Sequence, residues 1–182
     1  RSLAPAGPPD RVFTSPALRC RQTVTYLLRP WFDHPVRLDV RQDLRELDQG
    51  ILRGLTWAEA EQRYPQLCQQ LLRTPTLIPI PGAESPAAGR QRAEAFLASL
   101  LTEAQPGETH WVVSHAGFLM HLISALLGCP QTWGLDIYPT AVFEFALDVS
   151  EGRPAGLEAW NPSRWRIGRF NGTDHLGWAL DG

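Results

Sequence analysis

The sequence contains no lysine: all 17 of its basic residues are arginine. That absence removes Schiff-base catalysis and the lysine of a phosphate-binding P-loop, and leaves guanidinium groups as the cationic donors for an anion. Cysteine is scarce. Cys20, Cys68 and Cys129 are odd in number and widely spaced, which argues against a disulfide framework or a cysteine metal site. Reduced, buried and inert thiols are expected. No apolar run approaches the roughly 20 residues that span a bilayer, and no charged-then-apolar leader opens the text. A cytoplasmic location without membrane contact is the expectation. An excess of either charge is also missing: 17 basic and 19 acidic residues are scattered along the chain. No electrostatic footprint for nucleic acid follows, so a small-molecule or protein partner is expected, with a homo-oligomer left open.

What is present fits one α/β domain over residues 1–182, with 43% hydrophobic residues to build a core. The text opens on Arg1, and "RSLAPAGPPD" reads as the end of a helix and a turn, so the start is expected upstream. "DRVFTS" is a β-branched and aromatic run leading to a helix, with Ser15 as N-cap and Pro16 at the first helical position. That helix carries Leu18, Thr23, Tyr26 and Leu27 and stops near Pro30. "VRLDV" predicts a second strand. Thr56 and Glu59 have the spacing of a capping box, and residues 56–81 read as a polar helical excursion, interrupted by Pro65, that forms a lid.

Ser85-Pro86 starts a helix whose apolar face holds Ala93, Phe96, Leu97, Leu100 and Leu101. "THWVVSHAG" is a strand ending in a turn, and "FLMHLISALLG" an apolar helix closed by Gly128. "AVFEFALDV" alternates as a strand, with "AGLEAW" as its hairpin partner. The order predicts a three-layer sandwich: a mostly parallel central sheet, helices on both faces, and a small helical lid insertion.

In such sheets anions bind beyond the carboxyl ends of strands, where helix N-termini point their N–H groups outward. Arg19 falls in the first turn after "FTSP", and His115 on the turn after "WVVS". Taken singly, Arg19 reads as one half of a surface ion pair and His115 as a satisfied core histidine. No G-x-S-x-G elbow accompanies Ser114, and His110, His115 and His121 lack i,i+4 spacing for a metal. No metal is expected. Asn171-Gly172-Thr173 fits a glycosylation acceptor by chance only.

In combination, six segments in order, "SPALRCRQT", "LRELDQGILRGLT", "PGAESPAAGRQR", "VVSHAG", "YPTAVFEF" and "NGTDHL", resemble the histidine phosphatase (phosphoglycerate mutase-like) superfamily, in particular its alpha-ribazole phosphatase-type branch. Gln49 stands where that branch has an aromatic residue, and Ala83 where it has a second glycine. The resemblance implies a phosphoric monoester hydrolase without cofactor, acting on a small phosphorylated metabolite through a phosphohistidine. It implies Glu46 as proton donor, His115 as the second active-site histidine, and Arg19 as phosphate ligand. The N–H groups of Ala116 and Gly117 are expected to add donors. Arg53 and Trp57 are candidate lid contacts, and Glu84 is the competing acid or a support for the turn.

The family's opening Arg-His-Gly, with its nucleophilic histidine, is not found among the five histidines His34, His110, His115, His121 and His175. It is expected upstream of Arg1. The alternatives are a phosphoglycerate mutase-type phosphotransferase and a non-catalytic phosphate-binding pseudo-phosphatase. Arg19, Glu46 and His115 are expected to converge at the carboxyl edge of the sheet, under a loosely packed lid.

Overall fold

The computed structural model describes residues 7–74, 78–130, 132, 135–149 and 162–176. The expected partner strand "AGLEAW" lies outside these residues. The central sheet has the order β2-β1-β3, with β1 (Arg11–Thr14) between β2 (Arg37–Val40) and β3 (His110–Val113), all parallel. Thr14 pairs with Val40 on one side and Val113 on the other, so the three carboxyl ends are level. Ser15, the chain leading to Glu46, and Ser114–His115 therefore leave the sheet at one edge. Among the described residues β3 pairs on one side only.

The side chains of β1 alternate between two covered faces. Phe13 joins Phe96, Leu97, Phe118 and Leu122 in the main core, contributed by α4 (Pro86–Glu103) and α5 (Ala116–Leu126). Phe13 meets Phe96 edge to face, with ring centroids 5.7 Å apart. Val12 is also buried, and α1 (Leu18–Leu27) packs on β1 and β3 through Cys20 and Val24. This is the α/β layering expected from the element order.

Local signals explain most helix boundaries. Ser85 caps α4 by accepting from the Ala88 N–H at 3.1 Å, and Gly128 ends the helical hairpin at φ +66°. The start of α1 differs from the sequence expectation. Its N-cap is Ala17, not Ser15, because the Ser15 hydroxyl is turned into the interior toward His115. Of the residues this helix carries, Leu18 and Tyr26 are exposed, and its buried positions are Cys20 and Val24.

Within residues 56–81 the structure places α2 (Trp57–Arg63) and α3 (Pro65–Arg73). Thr56 and Glu59 make both halves of the capping box, and Pro65 stands at the first turn of α3. The excursion is closed at its base by backbone: Ile51 N–H donates to Pro81 O at 3.0 Å and Glu84 N–H to Asp48 O at 2.9 Å. A Cβ on Gly50 would stand 2.2 Å from Pro81 O, and φ at Gly50 is +55°, so only glycine fits this crossing. Beyond the excursion and α5, β4 (Val142–Leu147) pairs antiparallel with β5 (Trp165–Gly172) as a separate ribbon. No helix among the described residues is long and apolar enough to cross a membrane.

Candidate active site

His115 is the N-cap residue of α5 and only 6% exposed, although it is a titratable group at the end of a strand. Its ring is held from both sides. Arg19 approaches Nδ1 with Nη2 at 2.6 Å and Nε at 3.1 Å, and Ser15 Oγ lies 2.8 Å from Nε2. Burial, then the neighbouring Arg19 charge, holds the imidazole below its ordinary value of 6.5, so the neutral ring is favoured. Arg19 itself has no carboxylate partner among the described residues. A guanidinium can donate two parallel N–H bonds to an anion, and Arg19 spends two of its five N–H groups at most on the histidine.

Glu46 reaches the same helix start from the loop after β2. Its Oε1 accepts from Phe118 N–H at 3.0 Å and from Leu47 N–H at 2.9 Å. Oε2 has no hydrogen bond among the described residues. Gly117 makes this seat: a Cβ there would lie 2.7 Å from Glu46 Oε1. The N–H groups of Ala116 and Gly117, at the first two positions of α5, have no acceptor within the helix. Arg19, Glu46, His115, Ala116 and Gly117 are thus brought to one edge of the sheet, at the start of α5.

The other three candidates are placed elsewhere. Glu84 lies outside α2 and α3, and both its oxygens are taken by Arg92, at 2.8 and 2.7 Å. That hydrogen-bonded pairing holds its carboxyl below the usual carboxylate range. Arg92 also donates to Asp43 O and Arg45 O, both at 2.8 Å, and lies over the Phe118 ring. Glu84 therefore secures the loop that carries Glu46, instead of meeting a ligand at the lid. Arg53 pairs with Asp48, and Trp57 Nε1 donates to Glu61 at 2.7 Å. Trp57 lines a groove of about 430 Å³ with Gln49, Leu52, Leu55, Leu72 and Ile80, a groove that does not include Arg19 or His115.

Three residues at the site escaped the sequence reading in these roles. Ser15 was expected as a cap, Arg92 lay unassigned within "PGAESPAAGRQR", and Cys20 was taken as inert packing. The Cys20 thiol lies 3.6 Å from His115 Nε2, and burial pushes it up from its ordinary range. Cys20 and Cys68 are buried as expected, whereas Cys129 is half-buried. The remaining histidines stay apart from this site: His110 pairs with Glu108 at 3.0 Å, and His121 is fully buried between α5 and Gly89 of α4.

The family model of the histidine phosphatase superfamily (branch 1) matches residues 1–161. Among solved structures, the protein described as mycobacterial hydrolase 1 superposes with a TM-score of 0.70 at 23% identity, covering 91% of this chain and 78% of that one. A mycobacterial glucosyl-3-phosphoglycerate phosphatase in its native form gives 0.68 at 22% identity, over 92% and 78%. The alpha-ribazole phosphatase from Shigella flexneri gives 0.57 at 26% identity, over 68% and 59%. No curated protein matches.

Proposed function

The chain belongs to the histidine phosphatase superfamily (branch 1), and from that premise we propose that it hydrolyses a small phosphorylated metabolite through a phosphohistidine. The observation that carries the reading is Arg19, a guanidinium with no carboxylate partner among the described residues, set against His115 beside the open start of α5. Phosphoryl transfer of this kind needs positioning and neutralisation of the equatorial oxygens more than covalent chemistry from the protein. Arg19, His115 and the Ala116 and Gly117 N–H groups supply those donors. As the bond from phosphorus to the ester oxygen breaks and one to the nucleophilic histidine forms, the leaving alkoxide takes a proton from Glu46. Oε1 is held by two backbone donors, so Oε2 is the oxygen that carries it. Water then gives a proton to the Glu46 carboxylate as it attacks phosphorus; the P–N bond breaks, phosphate is released, and the histidine and the acid are regenerated.

The reading calls for a histidine beyond the five of this sequence, on the Arg-His-Gly segment of the family. The unpaired edge of β3, next to His115, suits a further parallel strand bearing it. The alcohol part of the substrate is assigned to the side of the 56–81 lid, where Gln49 joins the Glu46 loop to the groove lined by Trp57. Arg53 stands at the base of the same segment.

The test uses a polypeptide that carries the family's Arg-His-Gly segment. Phosphate release from an aryl phosphate, with an acid-labile phosphoryl-enzyme trapped by rapid quench, supports the reading. Interconversion of phosphoglycerates without release would assign a mutase. Phosphate binding with neither reaction would assign a non-catalytic module.

A further inference from the structure

We propose that Ser15 is a positioning residue that locks His115 as the tautomer protonated on Nε2, leaving the Nδ1 lone pair facing the anion site. The inference rests on the phosphatase reading for its consequence, but its geometry stands apart from it. A guanidinium has five N–H donors and no acceptor. With Arg19 Nη2 at 2.6 Å and Nε at 3.1 Å from Nδ1, that nitrogen accepts and carries no proton. In the neutral ring the proton then sits on Nε2, and its nearest acceptor is Ser15 Oγ at 2.8 Å, against 3.6 Å for Cys20 Sγ. Ser15 is 0% exposed, so water cannot replace its hydroxyl.

The local chain explains why the hydroxyl is available. Ser15 follows β1 directly, and its N–H is tied to Val113 O at 3.0 Å, the last residue of β3. Ser15 and His115 are thereby fixed by neighbouring strands. From the helix itself Ser15 Oγ receives a long 3.3 Å contact from Ala17 N–H, weaker than the N-cap bond expected of it. The start of α1 is displaced by two residues because this serine serves the histidine and not the helix.

The consequence is chemical. A phosphomonoester monoanion that draws the Arg19 guanidinium off Nδ1 and onto its own oxygens can pass its acidic proton to the freed Nδ1 lone pair. The O–H bond breaks, the N–H bond forms, and a dianion bound by Arg19 faces an imidazolium that donates Nδ1–H to a phosphoryl oxygen and Nε2–H to Ser15. With the other tautomer Nδ1 already carries a proton and has no lone pair to receive one. The charged and titratable groups around the ring are Arg19 and Cys20 on α1, Glu46 after β2, and Arg92 on α4. Among these the cations favour a neutral ring until an anion arrives.

The experiment is ¹⁵N NMR of the histidine rings in the unliganded full-length protein, assigned with His115→Gln. A neutral His115 protonated on Nε2 is the expected result; a proton on Nδ1 overturns the proposal without recourse to any variant. Ser15→Ala should give mixed tautomers and raise KM for an aryl phosphate about tenfold with a smaller change in kcat. Ser15→Thr, which keeps the hydroxyl, should restore both the Nε2–H signal and KM. An Ala variant with the wild-type tautomer and KM overturns it. A protein with the expected tautomer but no phosphate release would defeat the phosphatase reading and leave this assignment in place.

Discussion

Arg11 and Arg19 stand on either side of the same short strand, and they are treated in opposite ways. At the amino end of β1, Arg11 is buried, paired with Asp39 and with Glu103, the latter at 2.6 Å, and stacked over the Phe13 ring at 4.3 Å. Its charge is fully answered by the protein. At the carboxyl end, Arg19 meets a histidine that can only accept from it, beside helix N–H groups that also lack acceptors. An arginine without a carboxylate partner among the described residues stands at one end of the strand, and a doubly paired one at the other.

The sharpest way to break the comparison is to remove each arginine in turn. Arg19→Met should lower kcat/KM for an aryl phosphate by about 10²–10³-fold, the usual loss for one donor to a developing charge, with the thermal midpoint nearly unchanged. Arg11→Met should do the reverse: a fall in midpoint of about 5 °C, because two carboxylates lose their partner, with kcat/KM within about twofold. Equal losses of activity in both variants would end the distinction.

Gly117→Ala tests whether the seat of Glu46 matters for the site. The added methyl falls 2.7 Å from Oε1, so the carboxylate must leave its two backbone donors. A loss of about tenfold or more in kcat, larger than the change in KM, is expected from displacement of the acid. A kcat equal to wild type would remove Glu46 from the proton-donor role.

Acid should act through two kinds of group, buried histidines and a paired carboxylate. His115 and His121 are both held below their ordinary 6.5 by burial first. The unfolded chain binds those protons more readily, so stability should be full above pH 6.5 and fall as pH drops through that value. Glu84 is depressed by its hydrogen bonds with Arg92, so its contribution is present above its ordinary 4.5 and is lost as pH falls below it. Urea midpoints measured against pH should therefore decline in two stages. His121→Asn should weaken the upper stage, and Glu84→Gln the lower one.

The smallest effect concerns the excursion. Thr56→Ala removes the cap of α2 and should lower the midpoint by about 3 °C at most, with faster amide exchange confined to α2. Loss of protection throughout β1 and α5 would mean that the segment is part of the core and not an appendage.

Local rules carried far along this chain. The β-branched run at Val12–Thr14, the capping box of Thr56 and Glu59, the Ser85 cap and the Ala93, Phe96, Leu97 face all appear where short-range spacing put them. Such signals depend on neighbours within one or two turns, so the text alone contains them. The spacing of Arg19, Glu46 and His115 after successive strands belongs to the same class, once the strands are parallel and their ends level.

Other features depended on groups far apart in sequence. Among the described residues β4 pairs with β5, from Trp165 onward, a register that long-range pairing sets. Ser15 obeys every local rule for a cap and yet serves His115, since a buried ring nitrogen without an acceptor costs more than a frayed helix start. Glu84 carries a charge that the text cannot distinguish from that of a catalytic acid, and only the folded chain pairs both its oxygens with Arg92. The sequence by itself determined the elements, their order and which side chains emerge at the carboxyl edge. Tertiary packing alone decided which of those charges are paired with an opposite charge and which, like Arg19, have no carboxylate partner among the described residues, because that depends on distances between segments no local pattern encodes.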